Sequence, residues 1–489
     1  MGGPSVAIVG SGFSGLGLAI ALRRAGFTDL TVFERGDGVG GVWRENTYPG
    51  AACDAPSHLY SYSFEPKHDW SRRFAPQPEI LDYLRRCAHK YGVTGHMRFG
   101  TEVTGADFDA ATGRWTVRTA GGGTAEADVL VSACGQLSRP SVPDLPGLES
   151  FAGAVFHSAR WDHAHDLAGR SVAVVGNGAS AVQFVPRIAR EAAKLTVFQR
   201  EPQWVGWKWD RRYPRARSWL NRRFPVFQRL SRLGVFLWFE VLLNPMLISP
   251  RGRRVLSAHV RAMCRTTRWQ VRDKETRRRL TPRYELGCKR VLVSSDYYRS
   301  LNLPHVDVVA SPIVEVAPDA VVTADGAAHP ADTIIMGTGF RSHDFVAPMR
   351  VTGLDGRTLD DAWRDGPRAH LGLAVAGFPN FFLMYGPNTN VGSGSVVHML
   401  ESQIAYIVQA VRVLRDPEVL YMDVREGVLS EFDERLQRRL AGTVWNAGGC
   451  DSWYLRDGGR NASNWPGSML AYRRRTRRLD PSDYRFVKG

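Results

Sequence analysis

Two glycine-rich stretches carry the first chemistry legible in this chain. Gly10-Ser-Gly12-Phe-Ser-Gly15 follows the strand-like run Ser5-Val-Ala-Ile-Val9, and Gly176-Asn-Gly178-Ala-Ser180-Ala181 follows Ser171-Val-Ala-Val-Val175. In this spacing the first glycine permits a tight turn and the second lets backbone amides approach a pyrophosphate. The third lets the next helix pack on the strand, a place where Ala181 is tolerated. One such turn is often only structural; two in the same context point to two dinucleotides. Glu34 ends the second strand of the first unit, where a carboxylate accepts from ribose hydroxyls. Arg200 stands at the same offset in the second unit, where a guanidinium suits a 2′-phosphate rather than serving only as a solvated surface arginine. The first site fits FAD or NAD and the second, with Ser180 in its turn, fits NADP.

The elements that must position these residues repeat as well. Each turn leads into a helix-like run, Leu16–Arg24 or Val182–Ala193, and then a strand, Thr31–Glu34 or Thr196–Arg200. Ala127-Asp128-Val-Leu-Val-Ser-Ala-Cys-Gly135 matches Ala331-Asp332-Thr-Ile-Ile-Met-Gly-Thr-Gly339. Each follows a probable hairpin and reads as the last parallel strand of its unit, returning to the ligand. The expected fold is α/β, with two Rossmann-like dinucleotide-binding domains, one nested in the other, and a helical insertion. Residues 1–140 and 341–489 are assigned to the FAD domain and 150–204 and 286–340 to the NADP domain. The insertion covers 205–285, where aromatics alternate with arginines.

Composition is ordinary for a globular chain of 489 residues, with 44% hydrophobic and 23% charged residues, so other readings must rest on pattern. The net charge of +16 raises nucleic acid, a membrane surface or anionic cofactors as partners. No zinc-finger or RNA-binding signature accompanies it, so no nucleic-acid partner is expected. The six cysteines, Cys53, Cys87, Cys134, Cys264, Cys288 and Cys450, are widely spaced without a C-x-x-C pair. That argues against a disulfide framework, a zinc site or any other metal. A strand begins almost at the first residue, leaving no room for a signal peptide, and Leu233–Ile248 looks too short to span a bilayer. A cytoplasmic monomer or small homo-oligomer is expected; contact of the insertion with a membrane surface stays open.

Between the units, Phe151-Ala-Gly153-Ala-Val-Phe-His157-Ser-Ala-Arg-Trp161-Asp162 resembles the fingerprint of type I Baeyer–Villiger monooxygenases at every specified position. Gly40-Gly41-Val-Trp43 through Tyr48-Pro49-Gly50 to Asp54 is similar to a second pattern of that family. The resemblance covers nearly the whole chain. It implies a flavoprotein that uses FAD, NADPH and O2 to insert one oxygen beside the carbonyl of a small-molecule ketone, giving an ester or lactone. Arg290 then matches the active-site arginine, and Asp54 the carboxylate that orients it through charge-assisted hydrogen bonds. Lys289 matches a second contact to the 2′-phosphate, while Trp43, Thr338 and Asn388 belong near the isoalloxazine. His157 belongs to the link between domains, with a conformational role. The implied oxygenating species is an anionic C4a-peroxyflavin, which needs a fixed cation that cannot give up a proton, and arginine meets that need.

Three rivals are weaker. A monooxygenase acting on sulfur or nitrogen shares the scaffold, but in the resemblance it usually carries Tyr or Phe where Trp161 stands. A flavin disulfide reductase needs a cysteine pair, and Cys53 has no sequence neighbour to pair with. A non-enzymatic flavin-binding protein needs neither two phosphate turns nor Arg200. Which ketone is taken is not legible, because distant segments assemble the pocket.

Overall fold

The computed structural model describes residues 3–455 and 459–489. In the first repeated unit, strand β1 (Val6–Val9) leads through the glycine turn into helix α1 (Phe13–Arg24) and strand β2 (Leu30–Phe33). In the second, β3 (Ser171–Val175) leads into α2 (Ala179–Ile188) and β4 (Lys194–Phe198). Each unit forms a five-stranded parallel sheet. The first runs in the order Phe381–Leu383, Val129–Ser132, β1, β2, Met97–Arg98. The second runs Val306–Val309, β4, β3, Thr333–Met336, Ala154–His157. The central strands are short aliphatic runs buried at every position, as sheets covered on both faces require.

The strands expected to be last in each unit, within Ala127–Gly135 and Ala331–Gly339, do lie beside β1 and β3, but each sheet continues one strand further. Phe381–Leu383 extends the first, and Ala154–His157, inside the fingerprint, extends the second. Runs of three and four residues are too short to show a period. At the turns the need for glycine is steric. Gly10 and Gly176 have φ of +106° and +105°, and a Cβ on Gly15 would lie 1.9 Å from the Gly10 carbonyl oxygen.

Between β4 and Val306 the chain is mostly helical: Arg215–Arg223, Pro225–Leu237, Asn244–Ile248, Pro250–Arg268 and Lys274–Arg279. A π-helical turn, Trp238–Leu243, joins the second to the third. The apolar run Pro225–Ile248 is therefore 24 residues long, longer than its most apolar part suggests, and by length and composition alone it is long enough to cross a membrane. Its inner side is tied down. Gln228 Nε2 donates to the Lys67 carbonyl at 2.7 Å, and Arg232 donates to the His58 and Ser61 carbonyls at 3.0 Å.

The cysteine pattern misleads in one respect. Cys288 and Cys450, 162 residues apart, form a disulfide, because the fold brings two segments together that no spacing rule connects. Cys53, Cys87, Cys134 and Cys264 are free. Closing so long a loop restricts the unfolded chain and contributes roughly 2–5 kcal/mol. Cys450→Ser should therefore lower the denaturant midpoint, and dithiothreitol should lower that of the parent to match. Equal midpoints for oxidised parent and variant would show that the two thiols do not pair.

Candidate active site

A cavity of about 1580 Å³ receives residues from both sheets and from the insertion. It lies beyond the carboxyl ends of β1 and β3, where such sheets bind ligands. Gly10, Gly12, Gly176, Gly178 and Ser180 line it; Gly15 is buried behind them. Both helices start at a glycine, Gly12 for α1 and Gly178 for α2, with no side-chain cap. Their first amides are thus left as donors for an anion at each turn, which is the donor set a dinucleotide pyrophosphate needs.

In the first half, Glu34 Oε2 accepts from Ser11 N at 2.9 Å and Ser11 Oγ at 2.7 Å, and Oε1 accepts from Gly36 N at 2.9 Å. The carboxylate is held rigidly on the cavity wall and retains acceptor capacity for a ribose hydroxyl. Gly41 lies against Gly12, and Trp43 donates from Nε1 to the Tyr60 hydroxyl at 3.1 Å. Thr338 lines the cavity and donates its hydroxyl to the Ser141 carbonyl.

In the second half, Arg200 pairs with Asp451 at 2.9 Å and Lys289 with Glu201 at 2.5 Å. The two pairs are laced together. Glu201 follows Arg200 in sequence, and the Cys288–Cys450 bond joins the residues that directly precede Lys289 and Asp451. Sequence reading found both cations but neither carboxylate, since an acid next to an arginine carries no signal of its own.

Arg290 stands in the wall between the halves. It is enclosed by protein yet open to the cavity, so its exposure is exposure to the site. Burial alone lowers the pKa of its guanidinium, but the charge of Asp54 raises it and the net shift is upward. The expected hydrogen bond between the two is absent. Asp54 Oδ1 instead accepts from Gln183 Nε2 at 3.1 Å and meets Lys208 Nζ at 3.4 Å. Among the described residues, Arg290 forms no ion pair. Asp54 therefore acts on Arg290 through its charge rather than through a hydrogen bond.

Gln183 and Lys208 are the two residues the sequence reading missed here. Gln183, on α2, also accepts from the Tyr48 hydroxyl at 3.0 Å and Ala52 N at 3.1 Å, fastening the second unit to the segment that carries Asp54. A half-buried polar residue between the buried Val182 and Phe184 was its only signal.

Other expected residues lie elsewhere. Asn388 is buried and does not line the cavity. Its side chain donates to the carbonyls of Asn461 at 2.7 Å and Asn464 at 3.2 Å, clasping the C-terminal tail, while Asn390 and Tyr385 reach the cavity. The fingerprint residues are also behind the site. Phe151 is buried, Gly153 passes under the Asp332 carbonyl, and Trp161 packs on Phe156 and Phe184. His157 Nδ1 accepts from Ala159 N at 3.1 Å and the ring meets Phe340, which does line the cavity. Burial pushes the Cys53 thiol up to about 12, so it is neither paired nor a ready nucleophile.

Residues 3–238 match the family model described as flavin-binding monooxygenase-like. The chain is 45% identical to a Baeyer-Villiger monooxygenase of Streptomyces coelicolor, covering 99% of this chain and 92% of the relative. Among solved structures, an oxidized steroid monooxygenase bound to NADP is 31% identical with a TM-score of 0.87, over 99% of this chain and 100% of that one. A closed crystal structure of cyclohexanone monooxygenase is 28% identical with a TM-score of 0.88, over 100% of both chains. With two glycine turns, a guanidinium that makes no ion pair among the described residues and a fingerprint strand agreeing with these likenesses, the chain belongs to the Baeyer–Villiger monooxygenase family.

Proposed function

We propose that this chain is an FAD- and NADPH-dependent monooxygenase that inserts one oxygen atom of O2 beside a ketone carbonyl, giving an ester or lactone. The observation that carries the reading is Arg290, a cation without an ion pair among the described residues, facing a cavity that both glycine turns enter. The steroid and cyclohexanone names of the solved relatives support a ketone as substrate. The reading includes the domain division at 1–140 with 341–489, 150–204 with 286–340, and 205–285. It also includes a cytoplasmic location.

The amides at the start of α1 and the carboxylate of Glu34 would hold FAD, with Gly41 and Trp43 beside it. The amides at the start of α2, Ser180, Arg200 and Lys289 would hold NADPH. Bound there, the two cofactors supply hydride transfer and oxygen activation. The protein's own part is electrostatic. Arg290 stabilises negative charge near the flavin without donating a proton, because guanidinium stays protonated throughout the working range. The same cation steadies the oxyanion that forms when a carbonyl is attacked. Asp54, anchored by Gln183 and Lys208, keeps Arg290 charged while leaving its donors free. Arg200 and Lys289 exchange Asp451 and Glu201 for the 2′-phosphate.

Product analysis with NADPH, air and a panel of linear, cyclic and aryl ketones plus one thioether tests the activity. An ester or lactone gaining one oxygen is expected; a sulfoxide without any ester would move the reading to sulfur and nitrogen substrates. Arg290→Ala should reduce flavin with NADPH normally while oxygenation falls about 10²–10³-fold, the range for removing one fixed donor of a developing anion. Equal ester formation in variant and parent would remove Arg290 from the chemistry. Arg200→Ala should raise the KM for NADPH about 10- to 100-fold, as loss of a charge-assisted contact does, and leave that for NADH unchanged. Equal losses with both nucleotides would refute the 2′-phosphate assignment.

A further inference from the structure

The helical run 225–248 turns a continuous apolar face outward. Val226, Leu230, Leu233, Leu237 and Val241 recur every three or four residues and are 46–60% exposed, with Phe224, Phe227, Trp238 and Leu242 beside them. That spacing gathers them on one side of the helix, and an apolar stripe of this extent calls for a partner. The opposite side is committed to the body of the protein. Phe239, Met246 and Leu247 are buried, and Glu240 accepts from Met469 N at 3.1 Å and Leu470 N at 2.8 Å. A run so fixed cannot leave to span a bilayer, but it can lie in the surface of one with its outer face among acyl chains.

Charge specifies the partner. Residues 211–268 contain fourteen arginines and one acidic residue, Glu240, whose carboxylate is used inward. Arg215, Arg223 and Arg229 near one end of the stripe and Arg251 and Arg254 near the other are exposed, and among the described residues they make no ion pair. An apolar stripe with arginines at both ends matches an anionic lipid surface, which offers acyl chains below and phosphates around. A second copy placed face to face would set these arginines against their own kind, and a nucleic acid has nothing to cover the leucines.

The stripe also reaches the site. Trp238 and Leu242, flanking the stripe on the same helical run, line the cavity, and Met246 and Leu247 continue that lining inward. We propose that this face docks on an anionic bilayer surface and that the cavity takes a lipophilic ketone from the lipid. The ketone rests on the function proposed above; the docking does not.

The test uses the flavin-loaded full chain with phosphatidylcholine vesicles, plain or containing about one third phosphatidylglycerol, read by co-flotation at low and high salt. Binding to the anionic vesicles, weakened by salt, is expected. Leu233→Glu and Leu230→Glu should each lower vesicle affinity about tenfold or more by placing a charge among acyl chains. Arg223→Glu and Arg254→Glu should each lower it about fivefold or more. All four should keep the flavin spectrum and the rate of NADPH oxidation, since none lines the cavity. No binding of the parent to anionic vesicles overturns the proposal, as does equal binding by parent and Leu233→Glu. So does a dimer in light scattering that Leu233→Glu converts to monomer while vesicles are ignored. Flotation requires no turnover, so a protein that binds vesicles but oxygenates no ketone refutes only the function, and the reverse result refutes only the docking.

Discussion

The structure depends on keeping one cation charged, and free of ion pairs among the described residues, where two sheets meet. Arg290 has protein on every side but the cavity, and burial works against its charge. A carboxylate bonded directly to it would remove that penalty and also consume the donors an incoming anion needs. Asp54 resolves the conflict by acting without contact. Gln183 and Lys208 hold its Oδ1, so its field reaches the guanidinium while its hydrogen-bonding capacity goes elsewhere. Gln183 has a further consequence. Because it bonds Tyr48 and Ala52 from α2, the position of Asp54 depends on how the second unit sits against the first.

The cations proposed for the 2′-phosphate follow a different rule, because that ligand would itself neutralise them. Arg200 is 82% exposed and its pair with Asp451 sits in water, where such pairs contribute about 0–1 kcal/mol. A phosphate with nearly two charges would therefore displace the carboxylate at little cost. Lys289 is only 13% exposed and is held at 2.5 Å by Glu201, so most of the resistance to exchange resides there. The disulfide keeps the tail bearing Asp451 within reach of this exchange, linking its loop to the loop that carries both Lys289 and Arg290.

What was legible in the sequence was local. A glycine turn, the carboxylate or guanidinium at a fixed distance beyond it, and the alternation of strand and helix are all set by a few dozen consecutive residues. Glu34 and Arg200, placed by that offset, both line the cavity. Arg290, Asp54 and Lys289 came only through resemblance. The direct Asp54–Arg290 bond is not formed, and the partners Asp54 does meet, Gln183 and Lys208, come from distant segments that no pairwise pattern connects. Asn388 failed similarly: a polar residue in a tight turn serves a tail as readily as a ligand, and only the fold shows that Asn461 and Asn464 claim it. The Cys288–Cys450 bond lay beyond reading because proximity, not spacing, made it.

The helical insertion shows why a mean property can mislead where a face does not. Averaged over its length, the 211–268 stretch is basic, and within it Pro225–Ile248 is apolar enough to span a bilayer, yet it fits neither a nucleic-acid arm nor a buried span. Resolved by face, the contradiction disappears. One side of the run holds Gln228, Arg232 and Glu240, each spent on backbone groups of the body, and the other holds Leu230, Leu233 and Leu237, spent on nothing. Leaving those leucines in water forgoes about 25 cal/mol for every Å² of apolar surface. A sequence shaped only to roof a soluble cavity would place polar residues there. Trp238 and Leu242, next along the same helical run, line the cavity wall, and this ties the unspent surface to the site itself.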